Sequence, residues 1–102
     1  GTDSAPHSDA AKLSPCGCAG CFTAPVSLPV LAEVFERAGA LDRLEGFVSL
    51  HGAAWYGFPP AEETVTLTRS DDPAALPASV ETGDGPVTVF DPGIPVHWRL
   101  SP

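Results

Sequence analysis

At 102 residues the chain has room for one domain, and a chain of that size buries roughly 60–70 % of the surface its unfolded form exposes, enough for a modest core but not a large cleft. Thirteen acidic side chains against Lys12, Arg37, Arg43, Arg69 and Arg99 give a net charge of −8 with the basic residues scattered, a surface that repels phosphate backbones and argues against a nucleic-acid partner. No apolar run approaches the ~20 residues that cross a bilayer and no basic-then-apolar leader opens the chain, so the expectation is a cytoplasmic protein without a membrane partner.

The chain opens on Gly1-Thr2-Asp3-Ser4 and holds no methionine, which reads as a segment of a longer polypeptide. From Ala5 to Ala24 the residues are small, polar or helix-breaking, with Pro6, Pro15, Gly17 and Gly20 denying both a period of 2 and one of 3.6; this is read as one long loop, and ordered loops of that length are usually functional. Ser27 suits a helix cap, Pro29 is tolerated in a first turn, and Leu28, Leu31, Val34, Phe35 and Ala38 share a face, so a helix is expected over Leu28 to Ala38. Asp42 with Glu45 three positions later has the form of a capping box, and Leu44, Phe47 and Val48 place a second helix over Arg43 to Leu50, ending before Gly52.

Trp55, Tyr56 and Phe58 beside Gly57 and Pro59-Pro60 suggest a short helical turn that ends in a rigid bend. Thr64 to Thr68 and Val96 to Leu100 alternate polar with apolar residues and are read as half-buried strands; a further short strand is placed at Val87 to Phe90, within a segment rich in proline and glycine. No internal repeat is found, and the order is a loop over 1–24, helices over 25–58, and terminal strands and loops over 59–102, with no parallel crossover between the strands.

Acid, imidazole, thiols and flexible backbone converge only between Thr2 and Cys21. Asp3 and His7 flank Pro6, whose fixed backbone favours an extended or turning path for its neighbour; such a pair is more often a surface contact than a catalytic unit, yet zinc chemistry needs these two types. Cys16, Cys18 and Cys21 are too few and too close for a disulfide framework. With His7 they are one donor set for a structural zinc; the competing reading is a tight loop whose glycines let the backbone approach a ligand while the thiols act as small apolar groups. His51 and His97 are read as structural, and the aromatic cluster near Trp55 as core.

Taken in order, Gly1-Thr2-Asp3-Ser4-Ala5-Pro6-His7, Cys16-Gly17-Cys18-Ala19-Gly20-Cys21-Phe22, Glu45-Gly46-Phe47-Val48-Ser49, Trp55-Tyr56-Gly57 and Thr64-Val65-Thr66-Leu67 resemble the carboxy-terminal part of single-function bacterial dihydroorotases, of the amidohydrolase superfamily. The first two motifs are highly specific, and the likeness thins between Asp71 and Pro95. The resemblance implies an α/β fold, a (β/α)8 barrel in which Gly1 to Ser4 end the last strand, 1–24 are the active-site strand end and loop and Leu28 to Ala38 form the helix of that strand, with two zinc ions as cofactor and a homodimer as assembly. It implies the reversible cyclisation of N-carbamoyl-L-aspartate to L-dihydroorotate in pyrimidine biosynthesis.

On the same basis Asp3 binds one zinc ion and serves as general base, His7 holds the substrate carboxylate, and the backbone of Ala19 contacts the bound ring, which favours the substrate-loop reading of the cysteine segment. Two departures stand out: His51 where the family tends to have Asn, and Ala53-Ala54 where it often carries Pro. The family's remaining metal ligands, a His-x-His pair, a carboxylated Lys and two further His, have no counterpart here, so the chain alone is expected to be inactive. The alternatives are a small Cys/His zinc module and an inactive orphan fragment.

Overall fold

Ser8 starts the first helix: its hydroxyl accepts the Ala11 amide at 3.2 Å, and α1 runs over Asp9–Lys12 with its acid in the first turn and its base in the last, as the helix dipole favours. A computed structural model describes residues 3–101, which fall into two units, one comprising the chain to Ser27 with Ala75–Ile94, the other Leu28–Ala74 with the chain from Pro95 onward.

In the first unit a hairpin is built by two antiparallel strands, Ser79–Thr82 and Gly85–Thr88. Their turn is Gly83-Asp84, where the Thr82 hydroxyl donates to the Gly85 carbonyl at 2.7 Å and accepts the Asp84 amide at 3.2 Å. In chain order these strands are β2 and β3, since β1 (Leu67–Arg69) belongs to the second unit. Val26, Val87 and Val89 are buried and each contributes about 1.5–3 kcal/mol. The strand expected at Val87 to Phe90 therefore begins two residues earlier, and Val89 continues it only as an isolated parallel bridge to Phe22. The segment expected to end a strand at Gly1 to Ser4 is not strand at Asp3 and Ser4, while Gly1 and Thr2 lie outside the described residues.

The second unit opens at Leu28, the second residue of α2 (Ser27–Arg37), a helix close to the expected Leu28 to Ala38. Its inward face is different from the expected stripe: Pro29, Ala32 and Glu33 are buried, while Val34 is open to solvent. Glu33 is tolerated on that face because its carboxylate, 2 % exposed, is paired: it accepts from His97 Nδ1 at 2.6 Å, with Arg37 at 3.6 Å. Ser27 does not cap α2 through its oxygen as acceptor; its hydroxyl donates to the Ala24 carbonyl at 3.3 Å.

The second helix is longer than expected. A 3-10 turn at Leu41–Arg43 leads through a π-helical stretch at Gly46–Leu50 into α3 (His51–Tyr56); Asp42 lies inside the 3-10 turn, whose N-cap is Ala40, so the expected capping box of Asp42 with Glu45 does not form. Gly52 lies inside the helix, and Gly57, left-handed at φ 73°, ends it. At Gly46, where the π stretch begins, the His51 ring packs over the backbone, 2.6 Å from where a Cβ would stand, so a larger residue there would displace that ring. β1 pairs antiparallel with β4 (Trp98–Leu100), Leu67 opposite Leu100, three residues later than the expected start at Thr64. Arg69 binds the Glu36 carboxylate at 3.0 Å and Asp71 at 3.2 Å, and Glu36 foremost raises the guanidinium pKa above its ordinary value.

Candidate active-site loop

Asp3, Pro6 and His7 stand on the arm that leads into α1, and Ala19 on the loop that leaves it. The arm and the loop are stitched together: the Ala5 amide donates to the Cys21 carbonyl at 2.8 Å and the Ala24 amide to the Ser4 hydroxyl at 3.1 Å. Gly20 permits this approach, because a Cβ at its φ of 118° would run into the Ala5 side chain. These two bonds tie the arm at Ser4 and Ala5 to the loop at Cys21 and Ala24.

Asp3 is exposed and adopts φ 51°, the one described non-glycine residue with positive φ; a short polar side chain tolerates that region, and strained backbone of this kind gathers at working sites. His7 is half-buried, immediately before the Ser8 cap. Ala19 is exposed between Cys18 and Gly20. α1 is fixed to the hairpin by Asp9, whose Oδ1 accepts the Thr88 amide at 3.1 Å and the Thr88 hydroxyl at 2.7 Å. At the other end of α1, Lys12 Nζ donates to the Gly20 carbonyl at 2.9 Å. Below the loop the Phe90 amide donates to the Phe22 carbonyl at 2.9 Å.

Sequence reading passed over Asp9, Lys12 and Thr88. The Ser8-Asp9 start with a lysine in the last turn was a usable helix signal, masked by a helix of only four residues. Thr88 had no local signal, being 79 positions from Asp9.

All three cysteines are free thiols, Cys16 and Cys21 exposed and Cys18 half-buried. Among the described residues no group of three or more His, Cys, Asp or Glu side chains converges to hold a metal ion, so the Cys16, Cys18, Cys21 and His7 set does not assemble. Asp3 is of the right chemical type as a single carboxylate donor, but zinc takes four ligands; the described residues therefore do not make a metal site by themselves. A depression of about 310 Å³ between Leu76–Ala78 and Thr88–Pro92 contains none of the expected site residues. No described helix is long and apolar enough to cross a membrane.

No protein-family model matches the chain. It is 65 % identical over 100 residues to a dihydroorotase of Cereibacter sphaeroides and 60 % identical over 100 residues to one of Sinorhizobium medicae, covering 98 % of this chain in each case. A crystal structure of a dihydroorotase from Campylobacter jejuni, 32 % identical, superposes over 99 % of this chain with a TM-score of 0.77. The chain spans about 29 % of the length of the curated relatives and 28 % of the crystallised one.

Proposed function

Because the chain belongs to the dihydroorotase family while spanning under a third of its relatives' length, we propose that it is the carboxy-terminal part of a zinc-dependent enzyme that interconverts N-carbamoyl-L-aspartate and L-dihydroorotate in pyrimidine biosynthesis. The complete enzyme is then a cytoplasmic homodimer built on a (β/α)8 barrel, and the stretches 1–24, 25–58 and 59–102 supply its last active-site arm and loop, its terminal helices and its terminal strands. When bound, two zinc ions would supply the electrostatic activation of water that amide hydrolysis at neutral pH needs; most of their ligands would come from parts of the fold outside this chain.

Asp3 takes the proton from the attacking water and returns it to the ring nitrogen as the ring C–N bond breaks; in the synthetic direction the same carboxyl gives and takes in reverse. His7 holds the substrate carboxylate, a charge-assisted contact. The backbone at Ala19 lies against the ring, with Gly17 and Gly20 as the flanking residues that let the chain pass close.

The observation that carries this reading is the bond from the Ala5 amide to the Cys21 carbonyl, 2.8 Å, which lays the arm with Asp3 and His7 along the loop with Ala19. The test is a graft: this chain replaces the matching 100 residues of the Cereibacter sphaeroides relative. The graft is expected to hydrolyse dihydroorotate with zinc present, whereas the chain alone stays at background. A graft that folds and binds zinc yet has no turnover would contradict the proposal, as would activity of the chain alone.

A further inference from the structure

Lys12 is the only lysine or arginine in the unit that carries the arm and the loop, since Arg37, Arg43, Arg69 and Arg99 all lie in the other. It does not pair with any of the five carboxylates of its own unit; its ammonium donates to the Gly20 carbonyl at 2.9 Å. That carbonyl follows Ala19 directly, in a loop whose backbone is otherwise held at Gly17, through Ser14 at 3.0 Å, at Cys18, through Ala11 at 3.5 Å, and at Cys21, through Ala5 at 2.8 Å. With φ of 55° at Gly17 and 118° at Gly20, the loop has the backbone freedom of glycine on both sides of Ala19. α1 begins two residues after His7, and Asp9 locks it to Thr88, so the lysine reaches from a fixed support.

We propose that Lys12 is a positioning residue for substrate binding: by holding the Gly20 carbonyl it fixes the backbone at Ala19 relative to His7. This deepens the proposed function and rests on it. A contact that presents a binding surface acts on ground state and transition state alike, so its loss raises KM and leaves kcat nearly unchanged. The hydrogen bond is solvent-exposed, which places the effect at about three- to tenfold in KM. Arginine at the same place keeps both charge and donor.

Two measurements decide it. In the graft, Lys12→Met is expected to raise KM by about three- to tenfold with kcat held within about twofold, and Lys12→Arg to restore KM. In the 102-residue chain itself, Lys12→Met is expected to speed amide exchange at Cys18 and Ala5, whose amides donate to the Ala11 and Cys21 carbonyls on either side of Ala19 and Gly20, but not in α2. An unchanged KM in an active graft overturns the inference and leaves the proposed function standing. A fall in kcat with a lowered melting temperature also overturns it, because that marks a merely structural lysine. An inactive unsubstituted graft overturns the proposed function, and the exchange experiment then decides the loop claim alone, unchanged exchange counting against it.

Discussion

Asp3, Gly20 and Glu33 each do something their neighbours in sequence cannot, and each is open to a single substitution. At Gly20 the left-handed backbone and the nearby Ala5 side chain leave no room for a methyl group. Gly20→Ala is therefore expected to destabilise the arm-and-loop unit by about 1–3 kcal/mol and to raise KM in the graft, read by thermal melting and steady-state kinetics. Glu33 is a buried carboxylate held by His97; His97→Ala leaves it short of a partner and should cost about 1–3 kcal/mol in a denaturant melt of the chain, an effect that equal midpoints for the two proteins would disprove. The sequence singles out Asp3, His7 and Ala19 because they lie in motifs whose types and order are specific to the family it resembles. Glu33 with His97 was not legible, since 64 positions separate them and neither the helix pattern nor the strand pattern marks a charged residue as buried.

Helix α2 could be read from its apolar spacing and the β-branched alternation located β4, because both signals are local. The stretch from Leu41 to Tyr56 shows where local reading failed: Gly52 was taken as a stop, yet helix continues through it, and the π-helical stretch at Gly46–Leu50 shifts which side chains share a face. Tertiary packing of Leu44 and the Phe35–Phe47 pair, with ring centroids 5.3 Å apart, outweighs the weak helix propensity of glycine. The true stop is Gly57, whose left-handed φ closes α3. Gly57→Ala is expected to cost about 1 kcal/mol and to fray α3, seen as lost helical circular dichroism; Gly52→Ala should instead hold or raise helicity. The expected strand at Val87 to Phe90 overlaps β3, but its partner β2 was missed although Gly-Asp at the turn is a recognised signal, because Ser79–Thr82 is exposed throughout and carries no buried alternation.

Across the whole molecule the aromatic residues expected as core are not covered by this chain: Trp55, Tyr56 and Phe58 are 85 %, 73 % and 67 % exposed. Large exposed apolar surface of this kind belongs to an interface or to a chain whose packing partner lies elsewhere, in keeping with a chain that spans 29 % of its relatives' length. The isolated chain is accordingly expected to self-associate as its concentration rises, measured by sedimentation, and Trp55→Ser with Phe58→Ser to weaken that association; a monodisperse monomer throughout would contradict this. The most direct measurement is the turnover of dihydroorotate by the graft with Asp3 intact and with Asp3→Asn. A catalytic carboxylate at Asp3 predicts a loss of about 10²- to 10⁴-fold in kcat with the melting temperature unchanged, whereas turnover within a few-fold of the unsubstituted graft would contradict it.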